Sequence, residues 1–185
     1  YVRVISDKKG HRKVVEIYDY SSLDGSRITK TFNDQSSGTV ECWVRSDVNE
    51  QYYVNLEDGG YANSLWMMVS SGTLQYYDGS WHSIMSMTNN RWYHLRMEFD
   101  CNDDWHLWVD GVRKDSSGYE FRGSPSAMDE INIYTGGSPS VDEHLYVDAV
   151  SFSWDPNYQI GDNYVETWGL APYSAEEWHH VKLAF

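Results

Sequence analysis

The sequence predicts an all-β chain folded as an antiparallel sandwich or jelly roll, and three observations carry that prediction. Apolar and polar residues alternate with period two through almost the whole chain, as a strand with one buried face requires. Turn formers recur at short, regular spacing: DKKG (7–10), LDGS (23–26), LEDGG (56–60), SSG (70–72), Asp78-Gly79 and Asp110-Gly111. No segment before residue 155 shows the 3.6-residue period of an amphipathic helix, so the regular spacing reads as short strands and hairpins.

Taken in order, the first strand-like run places Val14 and Tyr18 in one phase, with Glu16 intruding between them. SGTVECWVRS (37–46) alternates through Val40, Cys42 and Val44. LQYY and SWHSI flank Asp78-Gly79, a two-residue hairpin signal. Residues 94–101 set Leu95, Met97, Phe99 and Cys101 against His94, Arg96, Glu98 and Asp100. Trp105, Leu107 and Val109 then oppose His106, Trp108 and Asp110, and Asp110-Gly111 closes a turn whose central positions both want positive φ. LYVDAVSFSW (145–154) has the apolar phase Tyr146, Val150, Phe152, Trp154, with Asp148 inside it. Past Trp154 the texture changes. DPNYQIGDN (155–163) is rich in turn formers, and YVETWGLAPYSAEEW (164–178) has no clear period. The expected organisation is a sandwich over 1–155, followed by a linker and a C-terminal strand, or the start of a further module, over 156–185.

WYHLRMEFD followed by DWHLWVDG resembles the central strands of concanavalin A-like (laminin G-like) jelly rolls, in which a Trp-x-His strand precedes a Trp-x-Leu-x-Val-Asp-Gly hairpin. SGTVECWVRS is similar to the earlier Gly-Thr-Val strand of that superfamily, with Cys42 where an aromatic is usual. LYVDAVSFSW is similar to its last strand. The four motifs stand in the expected order over roughly residues 1–155. Members of the superfamily include lectins, glycoside hydrolases and polysaccharide lyases, so the resemblance implies a polysaccharide-facing role without choosing among them.

Composition narrows the choice. A formal net charge of −14 and a pI near 4.7 repel nucleic-acid backbones and anionic membranes. No apolar run reaches the roughly 20 residues of a membrane span, so neither nucleic acid nor membrane insertion is expected. The N-terminus shows no charged-then-apolar leader, so a secreted protein is here a mature or excised form. Two cysteines, Cys42 and Cys101, are too few for a disulfide framework or a structural zinc site. They read as buried thiols or as one bridge between facing strands.

For catalysis, a retaining hydrolase needs two carboxyls roughly 5–5.5 Å apart on one face. The nearest motif, Glu98-x-Asp100, lacks its terminal Glu and sits on the strand already explained by Trp-x-His. A lyase set would need Tyr93, His94 and Arg96 together, but consecutive strand residues point to opposite faces. The sequence therefore favours a non-catalytic module of a secreted or cell-surface protein that contacts glycan or other surface proteins, ahead of a self-assembling structural subunit or a polysaccharide-degrading enzyme. Sugar recognition uses flat rings with a few polar groups to fix orientation. Trp66, Tyr76, Tyr77 and Trp81 lie on or beside two hairpins, and Tyr77, Asp78, Trp81 and His82 form the expected ligand site. Asp148 and Glu16, each a carboxylate in an apolar phase, either hold calcium, pair with an arginine such as Arg3 or Arg45, or lie on a face that is only half buried. Finally, EEWHHVKLAF (176–185) echoes the Trp-x-His strand. Residues 177–185 are expected to form a strand docked on a sandwich edge, in its own sandwich or as self-association with another copy.

Overall fold

The computed structural model describes residues 1–20, 25–136 and 142–158. In chain order the strands are β1 (Val2–Lys8), β2 (His11–Asp19), β3 (Arg27–Gln35), β4 (Ser37–Ser46), β5 (Gln51–Glu57), β6 (Ser64–Ser70), β7 (Thr73–Tyr77), β8 (Trp81–Ser86), β9 (Tyr93–Asp100), β10 (Trp105–Val109), β11 (Val112–Arg113), β12 (Met128–Thr135) and β13 (Glu143–Phe152). They form two antiparallel sheets, one ordered β1-β2-β13-β4-β9-β10-β11 and the other β3-β12-β5-β6-β7-β8. This is the all-β sandwich that the alternation predicts. The strand expected over 177–185 lies outside the described residues, as do Leu23 and Asp24 of the LDGS turn.

Alternation decides which face each side chain takes. Cys42, Leu95, Met97, Trp105, Leu107 and Val147 project from the seven-stranded sheet into the core, where they meet Val54, Leu56, Leu65, Met67, Ile131 and Ile133 of the other sheet. Cys42 and Cys101 are free thiols, the first buried and the second half-buried. Burial, with Glu41 beside it, pushes the Cys42 thiol up to about 12, so it behaves as a small hydrophobe. The β10–β11 hairpin closes with Asp110 at φ 52° and Gly111 at φ 75°, the pairing that Asp-Gly favours. Asp78-Gly79 behaves differently. Tyr77 pairs with Trp81, so three residues bridge β7 and β8, and the Asp78 carboxylate accepts the Ser80 backbone N–H at 3.1 Å.

The phase of β13 also departs from expectation. Leu145 and Val147 point into the core, while Tyr146 and Asp148 take the outward face of the seven-stranded sheet. A bulge between Asp148 and Ser151, with Ala149 at φ 49°, then reverses the phase so that Val150 and Phe152 pack on the core. An extra residue in one strand of a pair has this effect. The apolar series Tyr146, Val150, Phe152 therefore spans two faces, and Asp148 is not an inward carboxylate. Likewise Ile17 points inward while Val14 and Glu16 face outward. Trp92, which opens the Trp-x-His motif, is buried on that outer face, stacked on His11 with ring centroids 3.9 Å apart and donating its indole N–H to the Lys8 carbonyl.

Candidate functional site

The outer face of the six-stranded sheet carries an ordered array of polar and aromatic side chains. On β5, Val54 and Leu56 enter the core, which turns Tyr53, Asn55 and Glu57 outward. On the neighbouring β12, Ile131 and Ile133 enter the core and turn Glu130, Asn132 and Tyr134 outward. The antiparallel register sets Tyr53 opposite Tyr134, Asn55 opposite Asn132 and Glu57 opposite Glu130. The two tyrosine rings stack at 4.6 Å, and the Asn55 amide donates to the Tyr134 hydroxyl at 3.2 Å. Thr29 of β3 donates to Asn132 at 2.6 Å, and Asn132 donates to Glu130.

From Asn55 the row continues into rings. Trp66 on β6 is the cross-strand partner of Asn55. Its ring lies 5.8 Å from Tyr77 on β7 and 6.1 Å from Trp81 on β8, and Tyr77 and Trp81 meet edge-on at 5.0 Å. The row Thr29, Asn132, Asn55, Trp66, Tyr77, Trp81 thus crosses all six strands, about 24 Å at the usual strand spacing. Trp81 is 40% exposed at its end. The Arg122 guanidinium lies 3.7 Å above the Trp66 ring, and also within 5.0 Å of Tyr61 and 5.3 Å of Tyr77. Beside the tyrosine pair is an open depression of about 290 Å³, lined by Gly25, Arg27, Gln51, Tyr53, Trp66, Tyr134, Thr135 and Gly136. Burial raises the Glu57 carboxyl above its ordinary range, and the neighbouring Glu130 adds to the rise. Hydrogen bonds from Asn132 and Asn55 oppose it.

Of the four residues expected at the ligand site, Tyr77 and Trp81 belong to this face. Asp78 caps the β7–β8 loop. His82 leaves the group, because it alternates with Trp81 and stacks on Tyr76 at 4.9 Å, a ring that packs against Tyr119 and Trp105. It keeps a 3.1 Å contact to the Asp78 carboxylate at the loop. The motif-led reading missed Tyr53, Asn55, Glu57, Glu130, Asn132 and Tyr134. Their signal was present, since Tyr-x-Asn-x-Glu on β5 is written in reverse as Glu-x-Asn-x-Tyr on β12, and an antiparallel pair superposes such segments residue on residue.

The outer face of the seven-stranded sheet is occupied by its own partners. Glu16 is bonded by Arg3 and by His144 Nδ1 at 2.9 Å, which is the arginine pairing that the sequence offered as one alternative. Asp148 meets His11 Nδ1 at 2.8 Å, a histidine rather than an arginine. Among the described residues no three His, Cys, Asp or Glu side chains gather as a metal would require. Glu41 accepts the Tyr158 hydroxyl at 3.0 Å and lies 3.3 Å from His94 Nε2. Glu98 is exposed on this face, whereas Tyr93 is buried in the core, apart from His94 and Arg96.

No protein-family model and no curated protein matches the sequence. Solved structures do match in three dimensions. A sialidase aligns with a TM-score of 0.69 and 13% identity, over 77% of this chain and 15% of its own. A botulinum neurotoxin type C whose cell entry depends on interaction with two ganglioside molecules aligns at 0.60 and 13%, over 83% of this chain and 41% of its own. The cellulose induced protein Cip1 aligns at 0.62 and 11%, over 82% and 84%. This chain thus spans less than half the length of each of the first two. At these identities the likeness establishes the fold, which is the two-sheet architecture that the motifs resemble.

Proposed function

We propose that this chain is a non-catalytic glycan-binding module that lays an extended sugar chain across the outer face of its six-stranded sheet. The observation that carries the reading is the run of rings Trp66, Tyr77 and Trp81 on the outer face of β6, β7 and β8, beside which Asn55 and Asn132 are buried and hold the sheet surface in place. Rings cover the C–H faces of sugars. A run of rings over three strands suits more than one sugar unit. The similarity in fold to a sialidase, to a ganglioside-dependent neurotoxin and to a cellulose induced protein supports the same reading. Glycan contact implies work outside the cell or at its surface. No helix among the described residues is long and apolar enough to cross a membrane.

One observation favours a second reading, as a polysaccharide-degrading hydrolase: Glu57 and Glu130 are direct cross-strand neighbours, and Glu57 is held protonated more readily than usual. Both are tied down by asparagines, and Glu57 is only 6% exposed, which suits a floor better than a reacting pair. A glycan array followed by calorimetry separates the readings. Trp66→Ala and Trp81→Ala are each expected to weaken the best ligand by at least about tenfold, with an unchanged circular-dichroism spectrum and no new reducing ends released. Full-strength binding by both variants contradicts the platform, and steady release of reducing ends makes the chain a hydrolase.

A further inference from the structure

Resting on the platform reading, we infer that the sugar bound in the Arg27 depression is anionic, bearing a carboxylate or a sulfate. The chain carries 28 acidic residues against 14 basic ones, and several of its cations, Arg12 among them, make no ion pair among the described residues, so what sets Arg27 and Arg122 apart is their shared place on the ring-bearing face. Arg3, Arg91, Arg96 and Arg113 each make an ion pair. Arg27 and Arg122 make none among the described residues, and both sit on the platform with their guanidinium groups against rings, Arg27 5.2 Å from Tyr134 and Arg122 3.7 Å from Trp66.

A ring contact satisfies a guanidinium face but leaves its in-plane N–H donors unused. Those donors form a planar fork that matches a carboxylate or sulfate edge. Arg122 Nη1 and the Trp66 indole nitrogen are both buried without a hydrogen-bond partner, so no acceptor among the described residues claims these donors. Among the described residues the depression beside Tyr134 is lined by one charged side chain, Arg27, and by no carboxylate. Glu57 and Glu130 lie four residues along the strands from the tyrosine pair, about 13 Å by backbone spacing, yet against the rise that burial gives the Glu57 carboxyl, the Arg27 charge still reaches it and lowers it. An anion seated in the depression meets Arg27 directly, with Glu57 as the competing acid further along the strand.

The test uses matched pairs that differ in charge alone: oligogalacturonate and its methyl ester, 3′-sialyllactose and lactose, and chondroitin oligosaccharide with and without sulfate. At least one acidic member is expected to bind about tenfold more tightly than its neutral partner, with affinity falling as salt rises. Arg27→Gln, an exposed position where loss of fold is not at issue, is expected to abolish that preference. Arg122→Gln should reduce it. Arg12→Gln, which removes the same charge from β2 on the other sheet, should leave it intact. The sialyl and uronate pairs against the sulfate pair tell which anion is recognised. If neutral members bind equally well and Trp66→Ala still abolishes their binding, the platform stands and the anionic preference is overturned. If no member of any pair binds, the anionic preference is overturned, and the glycan array decides the platform separately. A preference that survives Arg27→Gln assigns it elsewhere and also overturns the inference.

Discussion

Asp115 shows how much a single carboxylate organises in an acid-rich chain. Its side chain is 1% exposed and accepts from Arg113 at 2.8 Å, from the Gly118 N–H at 2.8 Å and from the Leu107 N–H at 3.2 Å, with His106 Nδ1 at 2.9 Å. Burial alone would raise its carboxyl, but these bonds together outweigh burial and hold it at about 2. A folded-state value below the unfolded one, roughly 3.9, gives stability that is complete above the unfolded value and is lost as pH falls through about 2. Its worth at neutral pH is about 2–3 kcal/mol. Asp115→Asn is therefore expected to lower the thermal midpoint at pH 7 by several degrees, and the gap from wild type should close by about pH 2. A gap that stays constant down to that pH contradicts the assignment. At this scale the sequence was only partly legible. Glu16 and Asp148 stand out as acids in apolar runs, but nothing local announces that His144 and His11, more than a hundred residues away, are their partners.

Elements were legible where period and turn chemistry agree. The hairpin at Asp110-Gly111 and the inward phase of β9 and β10 follow from residues within a few positions of one another. The β13 bulge was not legible, because a single residue in left-handed geometry reverses the phase without a glycine to mark it. Ala149 bears that cost at φ 49°, where an L side chain crowds the backbone by roughly 1–2 kcal/mol. Ala149→Gly relieves the crowding while adding freedom to the unfolded chain. It is expected to raise stability by about 0.5–1 kcal/mol, read from chemical denaturation at an unchanged m-value. A loss of stability would mean that the bulge is held by the Ala149 methyl group. The candidate site was hidden for a related reason. Tyr-x-Asn-x-Glu and its reverse on β12 acquire meaning only once β5 and β12 are known to pair, and that pairing joins segments some seventy residues apart in the chain.

Across the whole molecule, the two outer faces differ in how they satisfy their polar groups. On the seven-stranded sheet, carboxylates meet histidines and arginines of the same sheet, and Tyr158 closes over Glu41. On the six-stranded sheet, amides lead into rings, two arginines rest on those rings with no ion pair among the described residues, and a depression lies beside them. The first face is knit by ion pairs, and the second carries the rings on which the proposed platform rests. Tryptophan indoles on both outer faces serve as reporters, Trp66 and Trp81 on the six-stranded sheet and Trp43, Trp92 and Trp108 on the seven-stranded one. The most direct measurement is a titration followed through their Nε1–H resonances, using the tightest ligand from the matched glycan pairs. The indole signals of Trp66 and Trp81 are expected to shift to saturation while those of Trp43 and Trp108, on the outer face of the seven-stranded sheet, stay in place. Shifts at Trp43 or Trp108 with Trp66 and Trp81 unmoved would place the ligand on the other sheet and contradict the central claim.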